Sequence, residues 1–412
     1  MAVTTIPGAL AELLGFVLLL LAPFVLLTPR APRPPRGRVD LAALEAFLAR
    51  LTAHETPPAL TVMVVNSHQT LYARAFGVVD GLTGRGAAVG DLYHYWSVTK
   101  LVTATAVLQL VEAGRIGLDD RVVKHLPEFT TRLKSGEAAD VTVRQLLTHT
   151  SGMRNLAPQH LIGWIHCPWD PPVGQSALVA ERMGQYRRLT ARPGQRSVYS
   201  NAGYLVLGAV VEAATGVSYE DYVRTRILAP LRMSSTNFVY PSEDDPRIVS
   251  GSHPVFHLYT PLLLAIHRDW LTGWVRRVRG IRRLRMWFAP LHTDYTAPTA
   301  LIGPAADLAR FAQLFLQHGE LDGVRVLGAE SVRQLLDEGY GAPAGAAGER
   351  LGLGWHWWTG SAVPFKGHGG EGPGFASQLA LLPEHDLAII VLANDTLINR
   401  VGLTQLIASV FR

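Results

Sequence analysis

The sequence is poor in cysteine and in lysine, and each shortage narrows the possibilities. A single cysteine, Cys167, excludes an intramolecular disulfide and any multi-cysteine zinc or iron–sulfur site, although it leaves the compartment open. Charged residues are also scarce, at 17% against 48% apolar residues, which excludes an intrinsically disordered chain. Only four of the 38 basic residues are lysines, namely Lys100, Lys124, Lys134 and Lys366.

Several familiar catalytic patterns are missing as well. The chain contains no G-x-S-x-G elbow, no Walker loop and no H-E-x-x-H helix. Its 15 histidines show no metal-ligand spacing. A G-x-G-x-x-G match at 367–372 is followed by a predicted strand, whereas a dinucleotide site needs a helix there. We therefore expect neither a metal nor a cofactor.

One long apolar run, 6–27, lies at the N-terminus, and Glu12 is its only charge. A helix of that length spans roughly 33 Å, enough to cross a bilayer core, and membranes tolerate a kink at Pro23. A cleaved signal peptide fits less well, because no Lys or Arg precedes the run and no A-x-A-like site follows it. A buried helix of a soluble protein is the third interpretation. We predict that 1–38 form a single transmembrane anchor and its linker.

The linker itself, PRAPRPPRGR, reads as a stiff, extended spacer that ends at Arg38. Its four arginines flank only the C-terminal side of the apolar run, and the positive-inside rule would keep that side cytoplasmic. The net charge of +5 fits an anionic membrane or nucleic acid about equally.

A folded domain is predicted over 39–412. Leucine and phenylalanine recur at helical spacing over 41–51, behind the candidate cap Asp40. Alternating apolar runs predict strands at 61–66, 70–79, 376–383 and 387–394. Further helices are predicted at 100–113, 142–148, 203–214, 218–228, 304–318, 329–337 and 399–411. Strands at both ends with helices between them predict one sheet built from distant segments, beside a helical lobe.

Ser97 and Lys100 form the first candidate catalytic pair. If Ser97 opens the helix that follows, Lys100 lies one turn later on the same face. A serine hydroxyl is a poor nucleophile until a neighbour takes its proton, and a buried lysine with a lowered pKa can do so. An arginine cannot, so a lysine in this arginine-rich chain is informative. An ordinary helix N-terminus is the alternative interpretation.

Two further clusters carry polar groups suited to the same chemistry. Tyr199 and Asn201 precede an apolar helix, where the phenol can pass a proton and the amide can bind a carbonyl or the lysine. A simple Ser/Asn helix cap is the alternative. The segment 367–375 is rich in glycine, which would let a substrate approach the following strand closely.

In this order and spacing, the clusters resemble the serine β-lactamase and penicillin-binding-protein superfamily, whose signature is S-x-x-K, then Y-x-N, then K-T-G. The form Y-S-N and a histidine in the third motif resemble its class C-like branch, which includes esterases and D-amino-acid peptidases. The resemblance covers about 40–250 and 300–412. It implies an α+β fold, with an antiparallel sheet flanked by helices, a helical domain and the site in the cleft between them.

The resemblance also implies roles for individual residues. Ser97 would be the acylated nucleophile, with Lys100 as its base partner and Tyr199 sharing the proton transfer. Asn201 would position the substrate carbonyl. The third motif would bind substrate through His368, Gly369 and Gly370, and the oxyanion hole would be the backbone N–H groups of Ser97 and Glu371.

The third motif departs from the family pattern, because His368 replaces a fixed lysine cation. An imidazole is mostly neutral at pH 7, and Glu371 adds a negative charge nearby. Both changes should weaken binding of substrates with a carboxylate. We therefore predict a serine hydrolase acting on an ester or amide, such as a small molecule or a D-amino-acid peptide. A β-lactamase or D,D-peptidase is the first alternative, and a non-catalytic membrane scaffold is the second.

The segment 253–300 lacks a clear family match and is strongly basic, with tryptophans between its arginines. Leu271, Trp274, Val275, Val278 and Ile281 would share one helical face. One interpretation is an amphipathic helix on anionic lipid, with a lid or a docking surface as other functional roles. A solvated, partly packed insertion is an equal alternative. A nucleic-acid surface is not expected beside a membrane anchor. The charge asymmetry favours a cytoplasmic domain, whereas the family resemblance favours an exported one, so the side stays open.

Overall fold

The computed structural model describes residues 26–35, 37–157, 165–166, 174–257, 260, 277–337, 342–343 and 349–412. The predicted anchor at 6–27 therefore lies outside the described residues except for its last two positions, and so does Cys167. Across the described part of the chain, no single helix combines the length and the apolar composition needed to cross a membrane.

Helices and strands are numbered in chain order. The helices are α1 (Leu41–Ala53), α2 (Thr99–Glu112), α3 (Val143–Leu147), α4 (Gln175–Arg182), α5 (Asn201–Thr215), α6 (Tyr219–Val223), α7 (Thr296–Thr299), α8 (Ala305–Leu316), α9 (Ala329–Leu335) and α10 (Arg400–Phe411). The strands are β1 (Ala59–Val65), β2 (Thr70–Asp80), β3 (Arg85–Gly86), β4 (Tyr93–His94), β5 (Arg132–Leu133), β6 (Ile165–His166), β7 (Arg188–Leu189), β8 (Ser252–Pro254), β9 (Val278–Arg282), β10 (Arg285–Phe288), β11 (His292–Thr293), β12 (Ile302–Gly303), β13 (Glu320–Leu321), β14 (Val324–Arg325), β15 (Ala342–Pro343), β16 (Glu349–Leu351), β17 (His356–Trp358), β18 (Phe365–Gly372), β19 (Phe375–Leu382) and β20 (Leu387–Ala393).

A nine-stranded sheet joins the two ends of the domain. Its strand order is β15-β16-β17-β18-β19-β20-β1-β2-β3. The pairs are antiparallel, and β1 lies directly beside β20, with Leu60 opposite Ala393. The predicted sheet built from distant segments is therefore confirmed, as is the α+β class. Antiparallel neighbours need no helical crossover to connect them, unlike parallel strands. The long segment of chain between the two ends of the sheet can therefore form the helical lobe.

The core lies on both faces of this sheet, because the side chains of β1 alternate between them. Leu60, Val62 and Val64 pack in one cluster with α1 and α10. Met63 and Val65 pack in the other cluster, with α2, α5 and α8. The helix that follows Ser97 is therefore fixed between the sheet and the helical lobe, which positions the site at their junction.

Helix α1 forms where the sequence predicts it. Asp40 caps it by accepting a hydrogen bond from the Ala43 N–H at 2.8 Å. Leu44, Phe47 and Leu48 are buried at spacings of three and four residues, which is the pattern of an amphipathic helix on a core. Full burial of Leu44 contributes roughly 1.5–3 kcal/mol.

The glycine-rich motif at 367–372 differs from the prediction, since the motif itself lies in strand β18 and not only before a strand. Glycine is needed there because the strand packs directly on the turn that carries Ser97. A Cβ atom at Gly370 would lie 2.1 Å from the Tyr95 carbonyl oxygen, and one at Gly372 would lie 2.4 Å from the Trp96 indole. Glycine lowers strand propensity, so the pattern alone did not predict this strand.

The predicted helical face in the basic segment is wrong for Val278 and Ile281. Both lie in β9, which pairs with β10 around a two-residue turn. The turn residues Arg283 and Leu284 have φ of 50° and 58°, a conformation typical of tight hairpins. β-branched side chains on either side of Gly280 favour this strand over a helix. The remaining positions of the proposed face, which fall within 261–276, lie outside the described residues.

Candidate active site

Ser97 lies on a 3₁₀ turn, Trp96–Val98, immediately before α2. Trp96 adopts φ of 46°, in the left-handed region that costs a tryptophan about 1–3 kcal/mol. The surrounding contacts hold this turn in place, because the Tyr95 carbonyl accepts a hydrogen bond from Ser377 Oγ at 2.6 Å on β19. The turn presents the Ser97 hydroxyl to a cavity instead of the core.

Lys100 lies one turn further along and is fully buried. Its Nζ is 3.1 Å from Ser97 Oγ, 2.7 Å from Asn201 Oδ1 and 2.9 Å from the Pro298 carbonyl oxygen. Burial holds the pKa of Lys100 well below its usual value. The predicted meeting of Ser97, Lys100 and Asn201 is therefore present in the structure.

The three contacts of Lys100 define where its protons lie. Asn201 Oδ1 and the Pro298 carbonyl can only accept hydrogen bonds. A neutral amine has two N–H groups, which satisfy these two acceptors, and one lone pair, which then faces Ser97 Oγ. This geometry, together with the lowered pKa, fits a lysine that accepts the serine proton.

Tyr199 completes a short hydrogen-bonded chain. Its hydroxyl donates to Ser97 Oγ at 2.7 Å. Burial raises the pKa of Tyr199 above its usual value, so the phenol stays protonated near neutral pH. The side chain packs on His149, with ring centroids 4.5 Å apart. His149 Nδ1 accepts a hydrogen bond from the Ser200 N–H at 3.0 Å, which fixes the chain next to Tyr199.

His368 lies in β18 at the far wall of the cavity. Its Nδ1 donates to the Gly369 carbonyl at 2.7 Å, which leaves Nε2 as an acceptor. Burial, with smaller effects from His356 and Lys100, holds the pKa of His368 well below its usual value. The imidazole is therefore neutral at pH 7, and the third motif carries no fixed cation at this position.

Arg400 supplies a cation that the sequence analysis missed. It begins α10, donates to the Gly370 carbonyl, and pairs with Glu371 at 3.0 Å. The negative charge predicted at Glu371 is thus offset by a cation that the prediction did not include. No motif marks Arg400, because it starts the last helix, 30 residues after Gly370, and only the tertiary fold brings it to β18.

A second missed pair lies beside His368. Glu349 accepts a hydrogen bond from His356 Nδ1 at 3.0 Å. The His356 ring lies 4.1 Å from the His368 ring between centroids, and both face the same cavity. His356 lies in none of the three motifs that carry the family resemblance, so no signal in the sequence pointed to it.

These groups surround a cavity of about 660 Å³. Lys100 and Gly370 lie behind its wall and do not line it. The predicted site residues that do line it are Ser97, Tyr199, Asn201, His368, Gly369 and Glu371, and they are joined by Glu349, His356, Gln378 and Arg400. The strand edge at the Glu371 end is uncovered within the described residues, because β17 pairs with β18 only from Phe365 to Gly367. Among the described residues, no group of three or more His, Cys, Asp and Glu side chains is arranged to hold a metal ion.

Comparison with known proteins agrees with this geometry. The family model for Beta-lactamase matches residues 44–409, and the chain therefore belongs to the beta-lactamase family of serine hydrolases. Penicillin-binding protein 4 of Amycolatopsis lactamdurans is 30% identical over 358 residues, which cover 85% of this chain and 84% of that protein. Esterase EstB of Burkholderia gladioli is 34% identical over 197 residues, 43% of this chain and 46% of EstB.

Solved structures share the fold. The octameric penicillin-binding protein homologue from Pyrococcus abyssi has a TM-score of 0.69 and 25% identity, covering 86% of this chain and 74% of that one. The chain spans less than half the length of some curated relatives that it matches, including EstB. The family and the hydrolase class are thus shown, and the substrate is a separate question.

Proposed function

We propose that the protein is a membrane-anchored serine hydrolase that cleaves an ester or amide through an acyl-enzyme on Ser97. The observation that carries this proposal is the hydrogen-bonded chain from Tyr199 to Ser97 to Lys100, in which the lysine's other two contacts are acceptors only. A serine placed only for packing would not need a buried lysine at its oxygen.

The proposed reaction begins when Lys100 takes the Ser97 proton. Ser97 Oγ then forms a bond to the substrate carbonyl carbon, and the backbone N–H groups of Ser97 and Glu371 stabilise the oxyanion. As the bond to the leaving alcohol or amine breaks, Tyr199 donates a proton to it, and the proton held by Lys100 replaces that of Tyr199. Water then forms a bond to the acyl carbon and gives a proton to Lys100. The bond between that carbon and Ser97 Oγ breaks, and Lys100 returns the proton to Ser97 Oγ as the acid is released.

The cavity supports a substrate without a strong demand for a carboxylate. His368 is neutral, and the only cation among the described cavity-lining residues, Arg400, is already paired with Glu371. The similarity to an esterase supports a small-molecule ester as one substrate class, and an amide such as a D-amino-acid peptide is the other class in this proposal. The Y-S-N motif and the histidine of the third motif support assignment to the class C-like branch, which is part of this proposal.

A β-lactamase or D,D-peptidase is the second candidate function. Arg400 favours it, because a guanidinium at the cavity wall can bind a carboxylate by exchanging Glu371 for the substrate. The similarity to a penicillin-binding protein over most of both chains also favours it.

Membrane anchorage is part of the proposal. The run at 6–27 has the length and composition of a span, and the arginines of 253–300 suit a lipid surface. Flotation of the full chain with vesicles, in alkaline carbonate that strips peripheral proteins, should keep it with the lipid. Release of the protein into the supernatant would contradict the anchor but would not bear on the proposed hydrolase activity.

The function is tested by turnover of a p-nitrophenyl ester and of nitrocefin by the detergent-solubilised chain and by Ser97→Ala. We expect ester turnover by the parent chain to exceed nitrocefin turnover, with both lost in the variant. A higher rate on nitrocefin would reverse the order of the two candidates. Unchanged turnover in Ser97→Ala would contradict the nucleophile.

A further inference from the structure

The tip of the β9–β10 hairpin exposes large apolar side chains. Ile281 is 62% exposed and Leu284 is 55% exposed, more than any other large apolar residue described from Val39 onward. The two positions lie three residues apart around the turn, in the sequence Ile-Arg-Arg-Leu at 281–284. Isolated exposed leucines are common, but two at one protruding turn indicate a contact surface.

The tip is held on a stiff support. Arg285, only 2% exposed, pairs with Asp395 at 2.9 Å, and Trp287 next to it is also 2% exposed. Arg282 donates to the Gly81 carbonyl on the adjoining turn. The base of the hairpin is therefore part of the folded domain, so Ile281 and Leu284 cannot be buried by folding the tip back.

The charge of the hairpin is positive. The segment 277–285 contains five arginines and no carboxylate. Asp80, Glu55 and Asp395, from other parts of the chain, pair with Arg279, Arg283 and Arg285. Arg283 at the tip is still 71% exposed despite its pairing with Glu55.

We propose that the tip 281–284 docks on an anionic phospholipid surface, with Ile281 and Leu284 entering the acyl boundary and Arg282 and Arg283 at the headgroup phosphates. Aliphatic side chains flanked by guanidinium groups are the composition that such a surface binds. A nucleic acid fits less well, since the tip offers no aromatic ring on which a base could stack. This inference rests on the proposed membrane association and adds a second contact to it.

The proposed orientation is tested with the full chain in vesicles. Cys167→Ser removes the only native thiol, and Leu284→Cys then takes an environment-sensitive NBD label at the tip. Val324→Cys is a matched control, because Val324 is 40% exposed and lies beside Arg325 in another two-residue hairpin. The vesicles contain phosphatidylglycerol or phosphatidylcholine alone, each with and without a lipid-borne nitroxide quencher.

We expect the label at 284 to shift to the blue and to be quenched in phosphatidylglycerol vesicles, while the label at 324 is unchanged. Arg282→Gln together with Arg283→Gln should weaken tip binding about fivefold per arginine removed. If the labels at 284 and 324 give equal signals in chains that still float with the vesicles, the docking of the tip is contradicted, whereas the anchor is not. A blue shift at 284 in the absence of lipid would indicate a contact with protein and would also contradict docking of the tip on lipid. A chain that does not float would overturn both the anchor and the tip.

Discussion

The amide oxygen of Asn201 lies 2.7 Å from Lys100 Nζ and accepts a hydrogen bond from it, which leaves the lone pair of the neutral amine facing Ser97. The neutral amide matters here as much as its position. A carboxylate at the same place would stabilise the charged lysine and raise its pKa.

Asn201→Asp tests this relationship. Lys100 must be neutral to accept a proton, so activity should rise with pH as the lysine deprotonates. The added charge should raise the lysine pKa, and the rising limb of kcat/KM on an ester should move to higher pH. An unshifted limb would contradict the role given to Lys100. Asn155→Asp, whose parent side chain contacts the Asn201 N–H but not the lysine, is the nearby control.

Lys100→Arg tests the base directly. An arginine is always charged and cannot accept a proton, so turnover should fall by about 10²–10⁴-fold, the usual contribution of a general base. The matched control is Lys124→Arg, since Lys124 pairs with Asp120 on the surface and should keep full activity. Circular dichroism verifies that both variants fold. A Lys100→Arg enzyme of normal kcat would exclude lysine as the base.

Tyr199→Phe removes only the hydroxyl that donates to Ser97. The ring can keep its packing on His149, so the fold should be retained. We expect kcat to fall by about 10²-fold, with a smaller loss for p-nitrophenyl esters, whose leaving group needs no proton. Comparison of p-nitrophenyl and alkyl esters measures that difference. Equal losses on the two esters would argue against proton donation by Tyr199.

Arg400→Gln separates the two candidate functions. Arg400 already pairs with Glu371, so a neutral ester should lose little. A substrate with a carboxylate should show a higher KM, because the guanidinium is the cation available to it in the described cavity. Parallel kinetics on a neutral ester and on its carboxylate analogue provide the test. If both substrates lose equally, Arg400 positions β18 instead of binding substrate.

The buried histidines predict a loss of stability in mild acid. Burial lowers the pKa of His149, His356 and His368 in the folded state. Below about pH 6.5 the unfolded chain binds protons that the folded chain does not, so stability should fall as pH decreases through that value towards the lower folded-state pKa values. Thermal unfolding from pH 8 to pH 5 measures this. His149→Asn should flatten the slope below pH 6.5, and an unchanged slope would exclude His149 as a contributor.

Much of the fold could be predicted because its signals are local. The apolar alternation of β1 and the helical spacing of α1 are visible in short windows of sequence. Ser97 and Lys100 lie one turn apart, so their meeting depends only on a helix that begins at the expected place. Tyr199 and Asn201 became candidates through the motif, although their contacts cross about 100 residues of chain.

Other parts of the site could not be predicted, because tertiary packing alone brings them together. Arg400 reaches Glu371 from the start of the last helix, and the Pro298 carbonyl reaches Lys100 from the segment that lacked a family match. The strand at 367–372 could not be predicted from the sequence, because close packing on Trp96 requires glycine there and glycine is disfavoured in strands. The β9–β10 hairpin could not be predicted from the sequence, because the spacing of its apolar residues also fits a helix.

The most direct test of the central claim is covalent labelling with a fluorophosphonate, followed by peptide mass spectrometry. The account predicts one adduct, on Ser97, in the parent chain. The adduct should be absent in Ser97→Ala and strongly slowed in Lys100→Arg, because an arginine cannot take the serine proton. An adduct on another residue, or equal labelling rates in the parent chain and Lys100→Arg, would contradict a nucleophile activated by Lys100.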